Sequence, residues 1–458
     1  MVRKVRFIVA FLALFVWSSS LSAELFPEGS YRGKIAVGPS RLTLQFNITQ
    51  NADSVAECTL DSPNQGAKGI GMTVDFISDD SLALSCASIG ADFRGSFTDG
   101  GLEGVFSQSG YKFPLKMRKR ALKIARRPQT PKPPYPYTSI DTTFENSEAG
   151  ITLAGTIVLP EGATRKSRVP AVVFVSGSGL QNRDEELFGH KPFLVIADYL
   201  ARNGIASLRY DDRGFAKSGG DASEATTADF ASDAAAAIKF LSGIDGIGKV
   251  GIIGHSEGGT IALMLAAERK PRFVVSLAGA ILPLKDVMLA QNRASFEKSG
   301  FAPEVVDKAV VLIDAVFSEQ ASRYLAGNNE PFKASDIAVL KGLDVPAQIL
   351  EMLDANMKQL FTPWLSYSLT VDARKYAAKA KCPVLAINGE KDTQVDARTN
   401  LGALTEAQPK AVVKSYPELN HLFQHCKTGA ISEYGDIEET ISPEVLADIT
   451  AFILDKAR

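Results

Sequence analysis

One serine in the chain has the sequence surroundings of a nucleophile. Residues 254–258 are Gly-His-Ser-Glu-Gly, with an apolar strand-like segment before them and a helix-like segment after them. This G-x-S-x-G pattern predicts a tight turn that exposes the hydroxyl of Ser256 and directs the backbone N–H of Glu257 toward developing negative charge. Larger side chains at positions 254 and 258 would collide within such a turn. We therefore predict that Ser256 is the nucleophile of an acyl-transfer reaction.

A serine nucleophile needs a general base, and the chain contains four histidines. His421 comes first after the strand-like run 412–416, which would place it at the carboxyl end of a sheet, where α/β sheets bind ligands. We predict His421 as the base and keep His425 as the alternative. His255 is expected to pack beside the site, and His190 is expected to have a structural role.

An imidazole base needs a carboxylate that fixes its tautomer and stabilises its charged form. Asp392 follows the strand-like run 384–388 and precedes His421, so that the chain order is Ser, Asp, His. We predict Asp392 as this acid. Asp396 and Glu390 lie in the same loop and are the alternatives.

A second donor for the oxyanion is expected in the loop that follows the strand-like run 171–175. The loop begins Ser-Gly-Ser-Gly-Leu at residue 176, and its glycines allow backbone N–H groups to approach a substrate carbonyl. We predict that Ser178 or Gly179 donates together with Glu257, and the alternative is a plain Gly/Ser turn.

A polar run at residues 210–219 follows another strand-like segment. Asp212 and Arg213 in this run are predicted to be ion-pair residues of the loop with a mainly structural role. The run lacks the glycine spacing of a nucleotide-binding fingerprint, and no His/Cys/Asp cluster in the sequence has metal-ligand spacing. We predict neither a cofactor nor a metal site.

The segments that must position these residues alternate between strand and helix from residue 140 onward. Continuous apolar strands that alternate with helices indicate a parallel sheet covered on both faces. The predicted strands are 171–175, 206–210, 250–253, 273–277, 384–388 and 412–416, and the predicted helices are 193–202, 227–241 and 258–269.

The strand–helix alternation is interrupted once, by residues 284–378, which have a mostly helical pattern and no strand run. An insertion of this size between two sheet strands predicts a helical lid. Most of its apolar residues should form the lid's own core, as apolar residues at helical spacing usually do. We predict that a few of them, Trp364 and Phe361 in particular, line an acyl pocket that faces Ser256.

The N-terminal third has a different pattern. Residues 28–118 contain closely spaced short strand runs separated by Asp, Gly and Ser turns, which predicts a small antiparallel sandwich or barrel. Five prolines between positions 128 and 136 then predict a stiff, solvated connector. The expected domains are therefore a β-rich domain at 24–120, a linker at 121–139 and an α/β domain at 140–458.

Residues 1–23 have the features of a secretory signal. Three basic residues precede an apolar run at 7–17, which is followed by small residues up to Ala23. The apolar run is shorter than the roughly 20 residues that span a bilayer as a helix. We predict cleavage after Ala23, no stable membrane anchor, and a periplasmic or secreted protein.

The composition excludes some classes of partner and scaffold. Lys and Arg number 50 and Asp and Glu number 52, so no nucleic-acid partner is indicated. Four cysteines are too few for a scaffold built on disulfides. Export would permit a bridge between Cys58 and Cys86, and the sequence leaves open whether these two thiols are bridged or free. It also leaves the oligomeric state open.

Residues 140–458 resemble a bacterial α/β-hydrolase of the serine esterase and aminopeptidase-like group. The resemblance rests on the motifs at 176–179, 210–214, 254–259, 389–392 and 420–421. It implies an α/β-hydrolase fold with a helical lid and hydrolysis of a small carboxylic ester. Related members cleave peptides or thioesters, which are the alternatives. A non-catalytic binding protein, in which the β-rich domain is the working part, is the rival of a different class.

Overall fold

The computed structural model describes residues 27–457 apart from 38–39, 52–54, 64–66, 109, 121–125, 299–301, 329, 338–353 and 355–360. The predicted signal segment 1–23 lies outside the described residues. The chain divides into two compact units, Met1–Lys123 and Ile124–Arg458. Among the described residues, no helix is both long enough and apolar enough to cross a bilayer.

The first unit is a closed barrel of eight strands, in which each strand pairs antiparallel with the next and β1 closes the barrel against β8. The strands are β1 Gly29–Val37, β2 Ser40–Gln50, β3 Ala56–Ser62, β4 Ala67–Ile77, β5 Ser81–Cys86, β6 Ala91–Thr98, β7 Gly101–Gln108 and β8 Tyr111–Arg120. This architecture confirms the antiparallel β-rich fold that the short alternating runs predict.

Alternation within the strands fills the barrel interior. Leu44, Phe46 and Ile48 are two residues apart on β2 and are all buried, because successive side chains of a strand point to opposite faces. The ring of Phe46 meets that of Phe93 on β6 edge to face, with the ring centres 5.0 Å apart. The interior is therefore a packed apolar core.

The four cysteines are free thiols, and Cys58 and Cys86 are both buried in this core. Strand β4 separates them, since Cys58 pairs with Met72 and the next residue along β4, Thr73, pairs with Ser85. Two strand spacings amount to about 10 Å, which exceeds the Cα separation of about 7 Å that a disulfide can bridge. Burial raises the pKa of the Cys58 thiol to about 12.

The second unit contains an eight-stranded sheet. Its strands are β9 Tyr137–Asn146, β10 Ile151–Pro160, β11 Val169–Val175, β12 Ala206–Tyr210, β13 Ile247–His255, β14 Val274–Leu277, β15 Val384–Gly389 and β16 Val412–Tyr416. They lie in the order β16-β15-β14-β13-β11-β12-β10-β9, and β10 runs antiparallel to both of its neighbours. This order with its reversed second strand is that of the α/β-hydrolase fold, as expected.

Helices cover both faces of this sheet. They are α1 Pro192–Arg202, α2 Thr227–Ser242, α3 Glu257–Ala267, α4 Leu284–Lys298, α5 Pro303–Leu325, α6 Pro363–Ser368, α7 Ala373–Ala377, α8 Ala397–Ala407, α9 Ile431–Tyr434 and α10 Pro443–Lys456. Helices α4 to α7 lie in the insertion between β14 and β15, and α7 packs in the main core through Ala373 and Ala377. Helices α4 to α6 precede it. They have an apolar core of their own that includes Phe317, Phe332, Leu365 and Leu369.

The proline-rich segment differs from the solvated connector that its composition predicts. The guanidinium of Arg127 donates to the carbonyl oxygens of Phe188 at 2.8 Å and Gly435 at 2.9 Å. The side-chain amide of Gln129 donates to the carbonyl oxygen of Ile441 at 2.7 Å. Strand β9 also begins at Tyr137, inside the predicted linker. Residues 126–139 therefore pack as part of the second unit.

Candidate active site

Ser256 occupies the sharp turn between β13 and α3. Its backbone has φ 53° and ψ −117°, a conformation that residues other than glycine rarely adopt. Its N–H donates to the carbonyl oxygen of Leu277 at 2.8 Å. A Cβ on Gly254 would lie 1.9 Å from the carbonyl oxygen of Gly258, and one on Gly258 would lie 2.1 Å from that of Val175. Both glycines are therefore sterically required, as the spacing predicts.

His421 and Asp392 meet at the carboxyl ends of β16 and β15. Nδ1 of His421 lies 2.6 Å from Oδ2 of Asp392. The other oxygen, Oδ1, accepts the backbone N–H groups of Gln394 at 2.7 Å and Val395 at 2.9 Å. The carboxylate is fully buried and accepts hydrogen bonds, so Nδ1 carries a proton and Nε2 remains available as a base.

Ser256 and His421 line one cavity of about 390 Å³ within the second unit. Its wall is mostly apolar and includes Leu187, Phe188, Leu284, Met288, Val371 and Leu422. The two charged residues among the described lining, apart from the histidines, are Glu185 and Glu257. A concave, mostly apolar wall with a few convergent polar groups is typical of a small-molecule site.

The alternative acids have other roles. Asp396 caps helix α8, where its carboxylate accepts the backbone N–H of Thr399 at 2.8 Å. Glu390 accepts the hydroxyl of Ser415 at 2.7 Å on the surface. Neither carboxylate contacts an imidazole, which leaves Asp392 as the acid paired with His421.

The alternative histidines also lie elsewhere. His425 is exposed and pairs through Nδ1 with Glu439 at 2.8 Å. His190 is buried between the hydroxyl of Thr440 and the carbonyl oxygen of Tyr434, at 3.0 and 2.9 Å. Burial lowers the pKa of His190 to about 4, so this ring is a neutral structural element.

The loop after β11 approaches the nucleophile closely. A Cβ on Gly177 would lie 3.2 Å from Cβ of Ser256. The N–H of Gly177 already donates to Glu185 at 2.8 Å, so it is committed elsewhere. Ser178 lines the cavity, whereas Gly179 lines a smaller neighbouring space. Of the two candidate donors in this loop, Ser178 is therefore the better placed.

Asp212, which the sequence predicts as an ion-pair residue, instead supports this loop through hydrogen bonds. The Asp212 carboxylate accepts the hydroxyl of Ser176 at 2.9 Å and the N–H of Gln181 at 2.8 Å. Arg213 is an ion-pair residue, as predicted, and pairs with Asp233 at 2.7 Å. Burial raises the pKa of Asp212 to about 7.

Neutralising Asp212 should therefore change the pH dependence of stability. Between pH 4 and pH 7 the folded protein holds a proton on Asp212 that the unfolded chain releases, so the contribution of Asp212 to stability falls as pH rises through this window. The loss should be on the order of 4 kcal/mol, from a pKa difference of about three units. Urea unfolding at pH 4 and pH 8 measures it. The Asp212→Asn protein should lose less, and parallel pH profiles for both proteins would contradict this assignment.

The carboxylate of Glu257 binds the lid. Its oxygens accept the indole N–H of Trp364 at 2.9 and 3.1 Å and the hydroxyl of Thr227 at 2.7 Å. Burial raises the pKa of Glu257 despite these hydrogen bonds. Trp364 lines the cavity, whereas Phe361 packs against Phe332 in the lid core and is not part of the cavity wall that the structure describes. The sequence suggested only a backbone role for Glu257.

Two further buried residues of the site, Glu185 and the ring of His255, are hydrogen-bonded to each other at 2.9 Å. No sequence pattern assigns a role to Glu185, whose only signal is its position in a charged run at 183–186. Among the described residues, no group of three or more His, Cys, Asp or Glu side chains is arranged to hold a metal ion.

The profile of the X-Pro dipeptidyl-peptidase (S15) family matches residues 149–423, more than half of the chain. The chain belongs to this family. The matched range of the S15 profile contains Ser256, Asp392 and His421, and the protein is a hydrolase.

Other similarities of this S15-family chain are partial or distant. Esterase EstD of Thermotoga maritima is 33% identical over 171 residues, which are 37% of this chain and 40% of that relative. The chain thus matches well under two thirds of the relative's length. Est1E of Butyrivibrio proteoclasticus with bound ferulic acid is 17% identical, with a TM-score of 0.42 over 69% of this chain and 98% of that one. Esterase Pf2001 of Pyrococcus furiosus is 15% identical, with a TM-score of 0.42 over 74% and 100%.

Proposed function

We propose that the protein is a serine carboxylesterase that cleaves esters with an apolar acyl group through an acyl-enzyme intermediate. The observation that carries this proposal is the apolar cavity around Ser256 and His421, in which both lining carboxylates are already hydrogen-bonded within the protein. The partial similarity to esterase EstD supports the same choice.

The proposed reaction uses Ser256 as the nucleophile and His421 as the base. Nε2 of His421 takes the hydroxyl proton of Ser256 while Oγ attacks the ester carbonyl carbon. The backbone N–H groups of Glu257 and Ser178 bind the oxyanion, and His421 then gives its proton to the departing alkoxide. Water attacks the acyl-enzyme by the same route and releases the acid and the free serine. Asp392 stabilises the imidazolium in both halves.

A peptidase that removes dipeptides must bind the protonated amino terminus of its substrate, which calls for an available carboxylate. Glu185 accepts hydrogen bonds from Gly177 and His255, and Glu257 accepts them from Thr227 and Trp364. Burial raises the pKa of Glu257 and so favours its neutral form, which attracts an ammonium group poorly. The cavity is therefore better suited to an uncharged acyl group.

The test compares esters with the substrate class of the family's description. We expect kcat/KM for the best p-nitrophenyl ester of a short or medium fatty acid to exceed that for Gly-Pro p-nitroanilide by at least about 100-fold, or roughly 3 kcal/mol. If the anilide were cleaved as well as the best ester, the proposed activity would be that of a dipeptidyl-peptidase and not that of an esterase. No turnover of either class, together with no labelling by a fluorophosphonate, would favour a non-catalytic binding protein.

Trp364 offers a test of the acyl pocket. Trp364→Leu should enlarge the cavity and move the optimum of a p-nitrophenyl ester series toward longer acyl chains. The expected change is about 10-fold in the ratio of kcat/KM for the long and short esters, since one or two methylenes in an apolar pocket contribute roughly 1–3 kcal/mol.

Phe361→Leu is the matched control for Trp364→Leu, because Phe361 packs in the lid core against Phe332. It should lower the melting temperature and leave the acyl-length optimum in place. An unchanged optimum in Trp364→Leu, or equal shifts in both variants, would remove Trp364 from the acyl pocket.

The proposal includes export. The basic and apolar segments of residues 1–23 have the order of a secretory signal. Amino-terminal sequencing of the protein recovered outside the cytoplasm should begin at Glu24. Recovery of the uncut chain in the cytoplasm would contradict this part of the proposal.

A further inference from the structure

Glu185 and His255 form a buried pair that the proposed mechanism does not use. Their side chains are 1% and 6% exposed. Nδ1 of His255 lies 2.9 Å from Oε1 of Glu185, and Nε2 lies 3.1 Å from the main-chain oxygen of His421. The same Glu185 oxygen accepts the N–H of Gly177 at 2.8 Å.

The partners of His255 determine its protonation. A carboxylate and a carbonyl oxygen only accept hydrogen bonds, so both ring nitrogens of His255 must carry a proton. The ring is then an imidazolium whose charge is balanced by Glu185. Burial alone would lower the pKa of His255, but the adjacent Glu185 carboxylate raises it overall.

The contacts of the pair end at the two groups that must be placed around the nucleophile. Gly177 directly precedes Ser178, the proposed oxyanion donor, and His421 is the proposed base. His255 itself directly precedes Ser256, and its ring centre lies 4.8 Å from that of His421. We infer that Glu185 and His255 are positioning residues. Together they fix the loop that begins at Ser176 and the loop that contains His421 relative to Ser256, and thereby set the rate of acyl transfer. This inference rests on the proposed acyl-transfer mechanism.

The backbone around Glu185 is held in place from several sides. Glu185 has φ 51°, a left-handed conformation that costs roughly 1 kcal/mol or more for a residue with a side chain. The two preceding residues are ion-paired to strand β12 and the residue after it, Asp184 with Arg209 and Arg183 with Asp211. These ion pairs hold the strained loop against the sheet, so Glu185 has a fixed position from which to orient His255.

Glu185→Gln should keep the contact of residue 185 with Gly177 and weaken the contact of His255 with the carbonyl oxygen of His421. An amide oxygen can still accept the N–H of Gly177 and a proton from Nδ1 of His255. Without a carboxylate to stabilise the imidazolium, however, Nε2 loses its proton and faces the carbonyl oxygen of His421 as a second acceptor. The His421 loop should then shift while the cavity wall stays intact.

The experiment measures kcat, KM and the rate of Ser256 labelling by a fluorophosphonate in the full-length protein. In Glu185→Gln, kcat and the labelling rate should each fall about 10- to 100-fold, as expected for a small displacement of reacting groups, while KM changes less than about threefold. His255→Gln, which removes the contacts of both ring nitrogens, should reduce the labelling rate at least as much and serves if the first variant does not fold.

Asp233→Asn is the matched control, because it also neutralises a buried carboxylate, one that pairs with Arg213 at 2.7 Å outside the cavity. It should lower the melting temperature and leave the labelling rate unchanged. Equal loss of labelling in this control, or unchanged kcat and labelling in the Glu185 and His255 variants, would overturn the inference. Fast labelling of the wild-type protein without ester turnover would instead overturn the ester assignment, and the labelling rates would still test the pair.

Discussion

Ser256→Ala should abolish hydrolysis of every ester that the wild-type protein cleaves. The expected loss is on the order of 10⁶-fold in kcat, because the oxyanion donors alone retain only a small part of the catalysis. Alanine at this position keeps the φ of 53° and the backbone hydrogen bond to Leu277, so we expect little change in melting temperature. Steady-state kinetics and covalent labelling by a fluorophosphonate measure the loss.

Ser178→Ala is the matched control for Ser256→Ala. Ser178 lies on the same cavity wall, but its proposed contribution is a backbone N–H, which alanine retains. The control should therefore still be labelled covalently. Labelling that persists in Ser256→Ala would show that another residue is the nucleophile.

The elements that carry the triad could be predicted because their signals are local. Strand β13, Ser256 and helix α3 are consecutive in the sequence, and the two glycines that the turn requires are two residues on either side of the serine. The strands before Asp392 and His421 are likewise short apolar runs, and such strands bring the residues after them to one edge of a sheet.

The first two strands of the sheet were harder to predict. Strand β9 is an edge strand with mostly exposed polar side chains, so it lacks an apolar run. Strand β10 contains Gly155 and ends at Pro160, residues that are uncommon inside strands. Glycine is needed at position 155, because a Cβ there would lie 2.7 Å from the carbonyl oxygen of Arg209 on the neighbouring strand. The pairing of β9 and β10 in the folded sheet overrides these weak local signals.

The contacts that complete the site join residues far apart in the sequence. Glu185 meets His255 across 70 positions, and Glu257 meets Trp364 across 107. Arg127 contacts Gly435 across 308 positions, and because no local pattern signals this contact, the proline-rich composition predicts a free linker. Periodicity and motif spacing describe neighbours along the chain, so they predict which elements exist but not which side chains pair between them.

His421→Ala should reduce kcat about as severely as loss of the nucleophile, on the order of 10⁶-fold, because the base and the nucleophile act as a unit. The fold should persist, because the remaining hydrogen bonds around the site do not involve the imidazole of His421. Asp392 still accepts the N–H groups of Gln394 and Val395, and the ring of His255 still contacts the main-chain oxygen of residue 421. Stopped-flow measurement of the acylation burst with p-nitrophenyl acetate should show that the burst itself is lost.

His425→Ala distinguishes the two candidate bases. The ring of His425 is 54% exposed and pairs with Glu439, and an exposed ion pair contributes at most about 1 kcal/mol to stability. The control should therefore keep both its burst and its kcat. If His425→Ala lost the burst and His421→Ala kept it, the 2.6 Å contact between His421 and Asp392 would be structural, and the base would have to reach Ser256 from the protein surface. The buried position of His421 on the wall of the same cavity as Ser256 favours loss of the burst in His421→Ala and its retention in His425→Ala.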